Sequence, residues 1–222
     1  KQTTIGVLWA VLRPLLTLLV MAFVGWLFGS DVPGDVPRLI LVGAATLPWS
    51  FFSSAFSDAA NSLVVNSNLL TKVYFPRLVV PVSTVIVCLI DLLISFAILL
   101  VLMFAYRFAP DVRILLLPLF IGLALVTALG SGLLIAALNV KYRDFRYIIP
   151  FIVQFGLYVS PVAFASSDVL AHPRIPGFLK VLYTMNPVVG VIDGFRWCLL
   201  GGRVELYLPG FLTSVGISVV LL

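Results

Sequence analysis

The residue types that perform covalent chemistry are few in this sequence of 222 residues, and they are scattered along it. The only histidine, His172, stands beside Pro173, where we expect an exposed position, and the cysteines, Cys88 and Cys198, fall in different segments. Such spacing predicts neither a disulfide framework nor a metal site. The phosphate-binding pattern G-x-x-x-x-G-K-[ST] is also missing from the sequence. The composition is compatible with a Ser–His–Asp assembly, but no spacing places its members together, so we predict a non-enzymatic chain without a cofactor of its own.

The densest charge in the chain lies between two apolar segments, at the start of the stretch Asn139–Pro161. Lys141, Arg143, Asp144 and Arg146 are followed closely by apolar residues. Arginine and lysine cannot enter hydrocarbon cheaply, and anionic lipid headgroups attract them. The pattern therefore predicts a short loop at a bilayer surface, and a simple topology anchor is the alternative to a functional role for it.

The composition assigns the chain to the integral membrane proteins. Hydrophobic residues make up 62% of it and charged residues 10%, with a mean hydropathy of +1.18, whereas about a quarter of a soluble domain is charged. The net charge of +5 is better explained by loops facing lipid headgroups than by nucleic-acid binding, because no basic patch lies on a soluble face. The sequence begins at Lys1 rather than Met and ends inside an apolar run, so we expect the natural protein to continue at both ends.

Long apolar stretches, each near the ~20 residues that a helix needs to cross a bilayer, predict six transmembrane helices in one transmembrane domain, residues 1–222. The predicted spans are residues 5–28, 39–65, 79–104, 114–138, 147–165 and 209–222, the last of them cut off. The fourth contains Gly122, Gly130 and Gly132, small residues that allow helices to approach closely. Between the fifth and the sixth, short apolar segments predict a re-entrant or interfacial helix pair rather than another span.

Six spans would place both termini on one side of the membrane, together with the loops at residues 66–77 and 139–146. Basic residues concentrate on this side, which favours it as the cytoplasmic one. This side has more basic residues than the other only if the basic residues between spans five and six are left out of the count. These are Arg174, Lys180, Arg196 and Arg203. We leave them out because a stretch that partly re-enters the membrane is not a translocated hydrophilic loop.

The second predicted span is unusually polar. Its polar residues recur at helical spacing on one face, and aromatic residues form an adjoining stripe. The polar face consists of Ser50, Ser54, Asp58 and Asn61, and the aromatic stripe consists of Trp49, Phe52 and Phe56. On the fifth span, Phe151, Phe155 and Tyr158 have a similar spacing. We expect the polar face to border a water-lined channel, and packing between helices or against lipid is the alternative role for each ring.

Three ionisable residues fall inside predicted spans. Arg13 on the first span and Asp58 on the second both lie towards the cytoplasmic ends, so we expect them to pair, because a charge within the membrane needs a partner. Asp91, deeper on the third span, has no obvious opposite charge. We expect it to be protonated or hydrogen-bonded to a neighbouring helix.

Four blocks of the sequence carry a family resemblance. They are GVLWAVLRPLLT at Gly6–Thr17, NSNLLTKVYFPRLVVP at Asn66–Pro81, LNVKYRDFRYIIPFIVQFGLYVSPV at Leu138–Val162 and NPVVGVIDGFRWCLLG at Asn186–Gly201. These blocks closely resemble permease subunits of polysaccharide ABC exporters, most nearly those of the O-antigen type, with teichoic-acid exporters as relatives. The resemblance covers nearly the whole chain, and the last two blocks are its most specific part.

The resemblance implies an all-α permease with a cytoplasmic coupling helix and with external re-entrant helices that gate the exit. The implied coupling residues are Asn66, Leu69, Leu70, Lys72, Tyr74, Phe75 and Arg77, with Lys141, Arg143, Asp144 and Arg146 at the same cytoplasmic surface. The implied gate residues are Pro187, Asp193, Phe195, Arg196 and Trp197. Two permeases and two ABC ATPase subunits, which bind the ATP and magnesium, would move a lipid-linked polysaccharide across a bacterial inner membrane, with the polymer passing between the permeases.

The missing phosphate loop agrees with this interpretation, because energy from ATP must then come from a partner. Aromatic rings beside serines would suit a sliding glycan, and the predicted channel residues are Trp49, Ser50, Phe52, Ser54, Phe56, Phe155 and Tyr158. One alternative is an exporter of the same fold for teichoic acid, a drug or another lipid. The others are a membrane-embedded glycosyl- or acyltransferase, against which the scattered acidic residues count, and a plain channel.

Overall fold

The computed structural model describes residues 3–27, 36–72, 76–142, 144–164, 166–201, 203 and 206–221, and every regular element within these ranges is helical. The helices are α1 (Thr3–Leu27), α2 (Arg38–Val65), α3 (Ser67–Lys72), α4 (Val79–Ala105), α5 (Leu117–Lys141), α6 (Phe145–Val159), α7 (Ser166–Ala171), α8 (Gly177–Thr184), α9 (Pro187–Leu200) and α10 (Leu208–Leu221), with a 3₁₀ turn at Val112–Leu116 before α5. The predicted all-helical class is confirmed for this part of the chain.

Three helical stretches are long and apolar enough to cross a bilayer by length and composition: Arg38–Val65, Val79–Ala105 and Val112–Lys141. Three further apolar helical stretches are shorter, namely Val11–Leu27, Phe145–Val159 and Leu208–Leu221. Such a set of helices is typical of a multi-pass membrane protein, because a helix satisfies its backbone hydrogen bonds internally within hydrocarbon.

One predicted boundary is wrong. The fifth span was expected over about 147–165, but α6 ends at Val159, and Ser160 is extended before Pro161. A proline disfavours the helical conformation of the residue before it, which explains this stop. The fourth span was expected over about 114–138, and the structure has a helical stretch at Val112–Lys141, which begins with a 3₁₀ turn. The predicted helix pair between spans five and six corresponds to α8 and α9, and the short helix α7 before them was not predicted.

α2 is the central helix of the bundle. It packs most extensively against α5 and α4, and it also contacts α9, α1 and α6. In its most apolar stretch 72% of the residues are buried, against 22% in α4 and 28% in α5. The outer faces of a membrane bundle can be as apolar as lipid, whereas its interior favours small and polar side chains that let helices pack closely. The alanines and serines of α2 fit this central position.

α2 and α5 approach each other closely where they cross. A Cβ atom added to Gly132 of α5 would lie 2.7 Å from the Cβ atom of Ala59, so only glycine fits this backbone approach. Further along the same two helices, Asn139 Nδ2 donates a hydrogen bond to the Ala60 carbonyl oxygen at 3.1 Å. Gly122, predicted to have the same role as Gly132, has no atom of the described residues within 4 Å of its Cβ position, so that prediction was wrong for Gly122.

Candidate functional site

The two basic loops predicted at the cytoplasmic surface lie at one end of the bundle. The hydrogen bond between Asn139 and Ala60 holds the carboxyl end of α5 beside the carboxyl end of α2. The short helix α3 follows α2, and the loop at residues 142–144 follows α5. Because the two helices end together, α3 and the start of α6 emerge from the same face of the protein.

The charged side chains at this end of the bundle are exposed. The exposed side chains are those of Lys72, Arg77, Lys141, Asp144 and Arg146. Asn66 is different, because its Nδ2 atom donates a hydrogen bond to the Ser62 carbonyl oxygen at 2.8 Å and so closes the last turn of α2. Leu69 and Leu70 lie within α3, and the other predicted coupling residues, Tyr74, Phe75 and Arg143, lie outside the described residues.

A cavity of about 380 Å³ lies midway along the bundle, where α1, α2 and α4 meet and α6 adds one residue. Its wall is rich in polar side chains, which are Arg13, Thr17, Ser50, Ser53, Ser54, Cys88, Asp91 and Ser95. Ser50 and Ser54 belong to the polar face predicted on the second span. The structure therefore places part of that face against open space rather than against another helix.

The aromatic stripe of α2 is divided between this cavity and the core. Trp49 borders the cavity, and one edge of its indole ring lies against Gly156 of α6. The rings of Phe52 and Phe56 stack on each other with centroids 5.6 Å apart, and both are buried. Of the three rings of the stripe, only Trp49 borders the cavity, whereas Phe52 and Phe56 pack inside the protomer.

The predicted ion pair between Arg13 and Asp58 is also absent. Within the described ranges, the one side-chain ion pair joins Arg113 to Asp111 at 3.4 Å. Asp58 instead accepts a hydrogen bond from the Cys88 thiol at 3.5 Å. Asp58 lies near the carboxyl end of α2. Arg13 lies further from that end, beside Ser50 and Ser54, so the two side chains do not meet. Asp91, for which no partner was predicted, shares the cavity with Arg13.

An exposed row of aromatic rings runs along α6. Tyr147, Phe151, Phe155 and Tyr158 follow one another at spacings of four, four and three residues, which places them on one face of the helix. Each is more than half exposed, and Phe151 stacks on Phe155 with ring centroids 5.6 Å apart. We call these four residues the α6 aromatic face. It includes both residues predicted for the glycan channel on this helix.

The predicted gate residues of α9 are held in a buried polar network. Arg196 is almost fully buried and donates from Nη1 to the Phe164 carbonyl oxygen at 2.7 Å and from Nη2 to the Val162 carbonyl oxygen at 3.1 Å. Asp193 accepts a hydrogen bond from the Ser166 hydroxyl at 2.8 Å. The network ties α9 to the segment between α6 and α7.

Burial has a clear electrostatic effect within this network. Removal from water raises the pKa of the Asp193 carboxyl to about 6, and the hydrogen bond from Ser166 and the charge of Arg196 oppose the shift only in part. Ser166 also lies within hydrogen-bonding distance of the Tyr183 hydroxyl, at 3.1 Å, which adds α8 to the network. Neither Ser166 nor Tyr183 was predicted, because each is a lone polar residue far along the chain from its partner.

The carboxyl end of α9 packs against the loop between α4 and α5. The guanidinium of Arg113 lies 4.8 Å from the centre of the half-buried Trp197 ring, and the guanidinium of Arg203 lies 4.6 Å from the Phe108 ring. α9 ends at Gly201 in a left-handed conformation, with a φ of 66°, and a Cβ atom there would lie 2.8 Å from Asp111. Pro187 opens the same helix, and Phe195 is buried in its middle.

The chain matches the family model described as ABC-2 type transporter over residues 1–200. The chain belongs to this family. Family membership accounts for the arrangement of apolar helices and marks the chain as a multi-pass membrane protein of the transporter class. The part that matches includes α1 to α9, and therefore includes every predicted site residue.

The curated relatives of this ABC-2 chain are named as O-antigen export permeases and as a polysialic acid transport protein. The O-antigen export system permease protein of Myxococcus xanthus is 28% identical over 222 residues, which is 100% of the chain and 83% of that relative. A protein of the same name from Klebsiella pneumoniae is 26% identical, with 99% of the chain and 85% of the relative covered. The polysialic acid transport protein of Escherichia coli is 24% identical over 96% of the chain and 78% of its own length.

Proposed function

We propose that this ABC-2 chain is the membrane-spanning subunit of an exporter that moves polysaccharide across a bacterial inner membrane, driven by a partner ATPase. The observation that carries the proposal is the similarity to O-antigen export permeases along all or nearly all of the chain. The similarity to a polysialic acid transport protein supports the same class of cargo. The chain itself would be non-enzymatic, with ATP and magnesium bound by the partner, and a lipid-linked glycan of the O-antigen type would be the substrate.

The topology that we propose has six spans, made by α1, α2, α4, α5, α6 and α10, with both termini in the cytoplasm. α8 and α9 would then enter the membrane from the outer side and return to it. α6 has only 15 residues, or about 22 Å of helix, which is less than the ~30 Å of a hydrocarbon core. The buried network around Arg196 would complete the span by holding the chain between α6 and α7 within the protein, where irregular backbone is tolerated.

The end of the bundle that carries α3 would be the docking surface for the ATPase. Its exposed basic side chains, including Lys72 and Arg77, are available to a partner. In the working transporter, two ATPase subunits would close on binding ATP, and α3 would transmit this closure to α2 and α4, the helices on either side of it in the chain. Two copies of the permease would enclose the glycan path.

The α6 aromatic face would form one wall of that path. Its rings are exposed in one protomer, and rings can pack against the C–H faces of sugars without requiring one particular linkage. The opposite wall would come from the cavity side of α2, where Trp49, Ser50 and Ser54 lie. α9 would form the outer gate, and its buried residues Asp193, Phe195 and Arg196 would hold it in place within the protomer.

The proposal is tested by purifying the full-length protein in mild detergent with whatever accompanies it. We expect an ABC ATPase subunit in equal amount, and we expect Lys72→Glu combined with Arg77→Glu to release it. Arg174→Glu is the matched control, because Arg174 is also an exposed basic residue but lies in the loop before α8, far from α3 along the chain. A protein that purified alone and changed a lipid-linked sugar by itself would refute the proposal and favour a transferase.

A further inference from the structure

The cavity between α1, α2 and α4 contains two charged side chains, Arg13 and Asp91, to which the proposed export path assigns no role. We propose that this cavity is a binding subsite for the sugar units of an uncharged glycan, and that Asp91 is its principal hydrogen-bond acceptor. The inference rests on the proposed export function and makes it more specific, because it names the chemical class of glycan.

The depth of the cavity requires a polar occupant. Asp91 lies near the middle of α4 and Ser50 near the middle of α2, so the cavity lies midway along two helices that are long enough to span a bilayer. Both Arg13 and Asp91 are exposed in the protomer. Charged side chains at this depth are costly against lipid tails and normally face a partner or a water-filled space. The mouth of the cavity therefore faces water, a polar ligand or polar groups of a second permease copy.

The groups that line the cavity include both donors and acceptors of hydrogen bonds, with one guanidinium, Arg13, and one carboxyl group, Asp91. The hydroxyl of Thr17 donates to the Arg13 carbonyl oxygen at 2.9 Å, and that of Ser53 donates to the Ser50 carbonyl oxygen at 3.0 Å, so only their acceptor sites stay open. In the part of the chain that the structure describes, no hydrogen bond or ion pair occupies the carboxylate of Asp91. Among the lining groups, the guanidinium of Arg13 is the strong donor.

This set of groups fits hydroxyls better than carboxylates. A sugar hydroxyl donates to an acceptor and can accept from Arg13, whereas the carboxylate of an acidic sugar only accepts. Such a carboxylate would be attracted by Arg13 but repelled by Asp91 and by Asp58, which is linked to the cavity wall through Cys88, so two acidic groups oppose the one guanidinium. Trp49 adds an aromatic surface to the wall, and a volume of about 380 Å³ is within the range of small-molecule sites. The cavity thus favours an uncharged glycan over a polyanionic one.

The test measures access to the cavity and its protection by ligand. The full-length permease with its ATPase, in nanodiscs and with Cys88→Ser and Cys198→Ser, would carry either Ser95→Cys inside the cavity or Ile90→Cys on the exposed outer side of α4. We expect a charged, membrane-impermeant thiol reagent to modify only the Ser95→Cys protein. A mannose oligosaccharide should slow that reaction, and an oligosialic acid of equal length should not. Asp91→Leu should raise the mannose oligosaccharide concentration needed for protection about tenfold, as expected for losing one hydrogen bond to a charged acceptor.

Three outcomes would overturn the inference: no modification at Ser95→Cys, equal protection by oligosialic acid, or protection by glycerophosphoethanolamine in place of the sugar. The last would identify the cavity as a lipid-headgroup site. Each of these results, obtained with the ATPase still bound and polysaccharide still exported, would leave the proposed function intact. Loss of both the ATPase and export in the unmodified protein would instead contradict the proposed function, whatever the labelling shows.

Discussion

Replacing Gly132 by alanine tests the close crossing of α2 and α5. The new Cβ atom would lie 2.7 Å from the Cβ atom of Ala59, which is 0.7 Å less than the 3.4 Å at which ordinary contact begins, and 3.6 Å from the Phe56 carbonyl oxygen. Because backbone atoms and a rigid methyl group line the gap, α2 and α5 must move apart. Overpacking of this kind costs about 1–3 kcal/mol.

The matched control is Gly122→Ala on the same helix, where no atom lies within 4 Å of the new methyl group. Both substitutions gain about 1 kcal/mol of helix propensity, so their difference isolates the packing term. We expect Gly132→Ala to be less stable than Gly122→Ala by about 1–3 kcal/mol in equilibrium unfolding in mixed micelles. Equal stabilities, measured on proteins that elute as single species, would refute the close approach of α2 and α5.

Two further predictions concern the polar network of α9. Arg196→Met should destabilise the protein by about 3–5 kcal/mol, because it leaves two carbonyl groups and Asp193 buried without their cation. Adding Asp193→Asn should recover part of this loss in the same unfolding assay, and a loss below about 1 kcal/mol in the single variant would contradict the prediction. Asp193 has a raised pKa of about 6 in the folded protein, so its contribution to stability is present at low pH and is lost as the pH rises through 6. Lowering the pH from about 7.5 to about 5 should therefore stabilise the wild type by roughly 1 kcal/mol more than Asp193→Asn, and identical pH profiles of the two proteins would contradict the assigned shift.

Much of the helical layout could be predicted because it depends on local properties. The length of each apolar run predicted the central parts of the long helices, and Pro161 marks the place where α6 stops. The end of α6 was predicted too late because apolar residues continue past Ser160, and hydropathy does not distinguish a helix from an extended chain that is buried in protein. α7 was missed for a related reason, since a six-residue helix is shorter than the window in which periodicity is visible.

The candidate site was only partly predictable. The polar face of α2 was visible in the sequence, because Ser50 and Ser54 recur at helical spacing. The partners of that face were not, because Arg13 and Asp91 are brought to the cavity by helices far apart in the chain. The predicted pairing of Arg13 with Asp58 assumed that both lie at a similar depth near the cytoplasmic ends of their spans, but the relative shift and rotation of the two helices decide which charges meet.

The sequence by itself determined the membrane class of this protein, its helical content and its resemblance to polysaccharide exporters, since these follow from composition, from apolar run length and from contiguous blocks of residues. The tertiary structure decided which side of each helix faces its neighbours. α2 has neighbouring helices on several sides. The helical spacing of its residues therefore does not show whether Phe56 on one side or Ser54 on another is buried. Only the packing of the neighbouring helices around α2 buries the first and opens a cavity beside the second, because burial depends on contacts between residues distant in the chain.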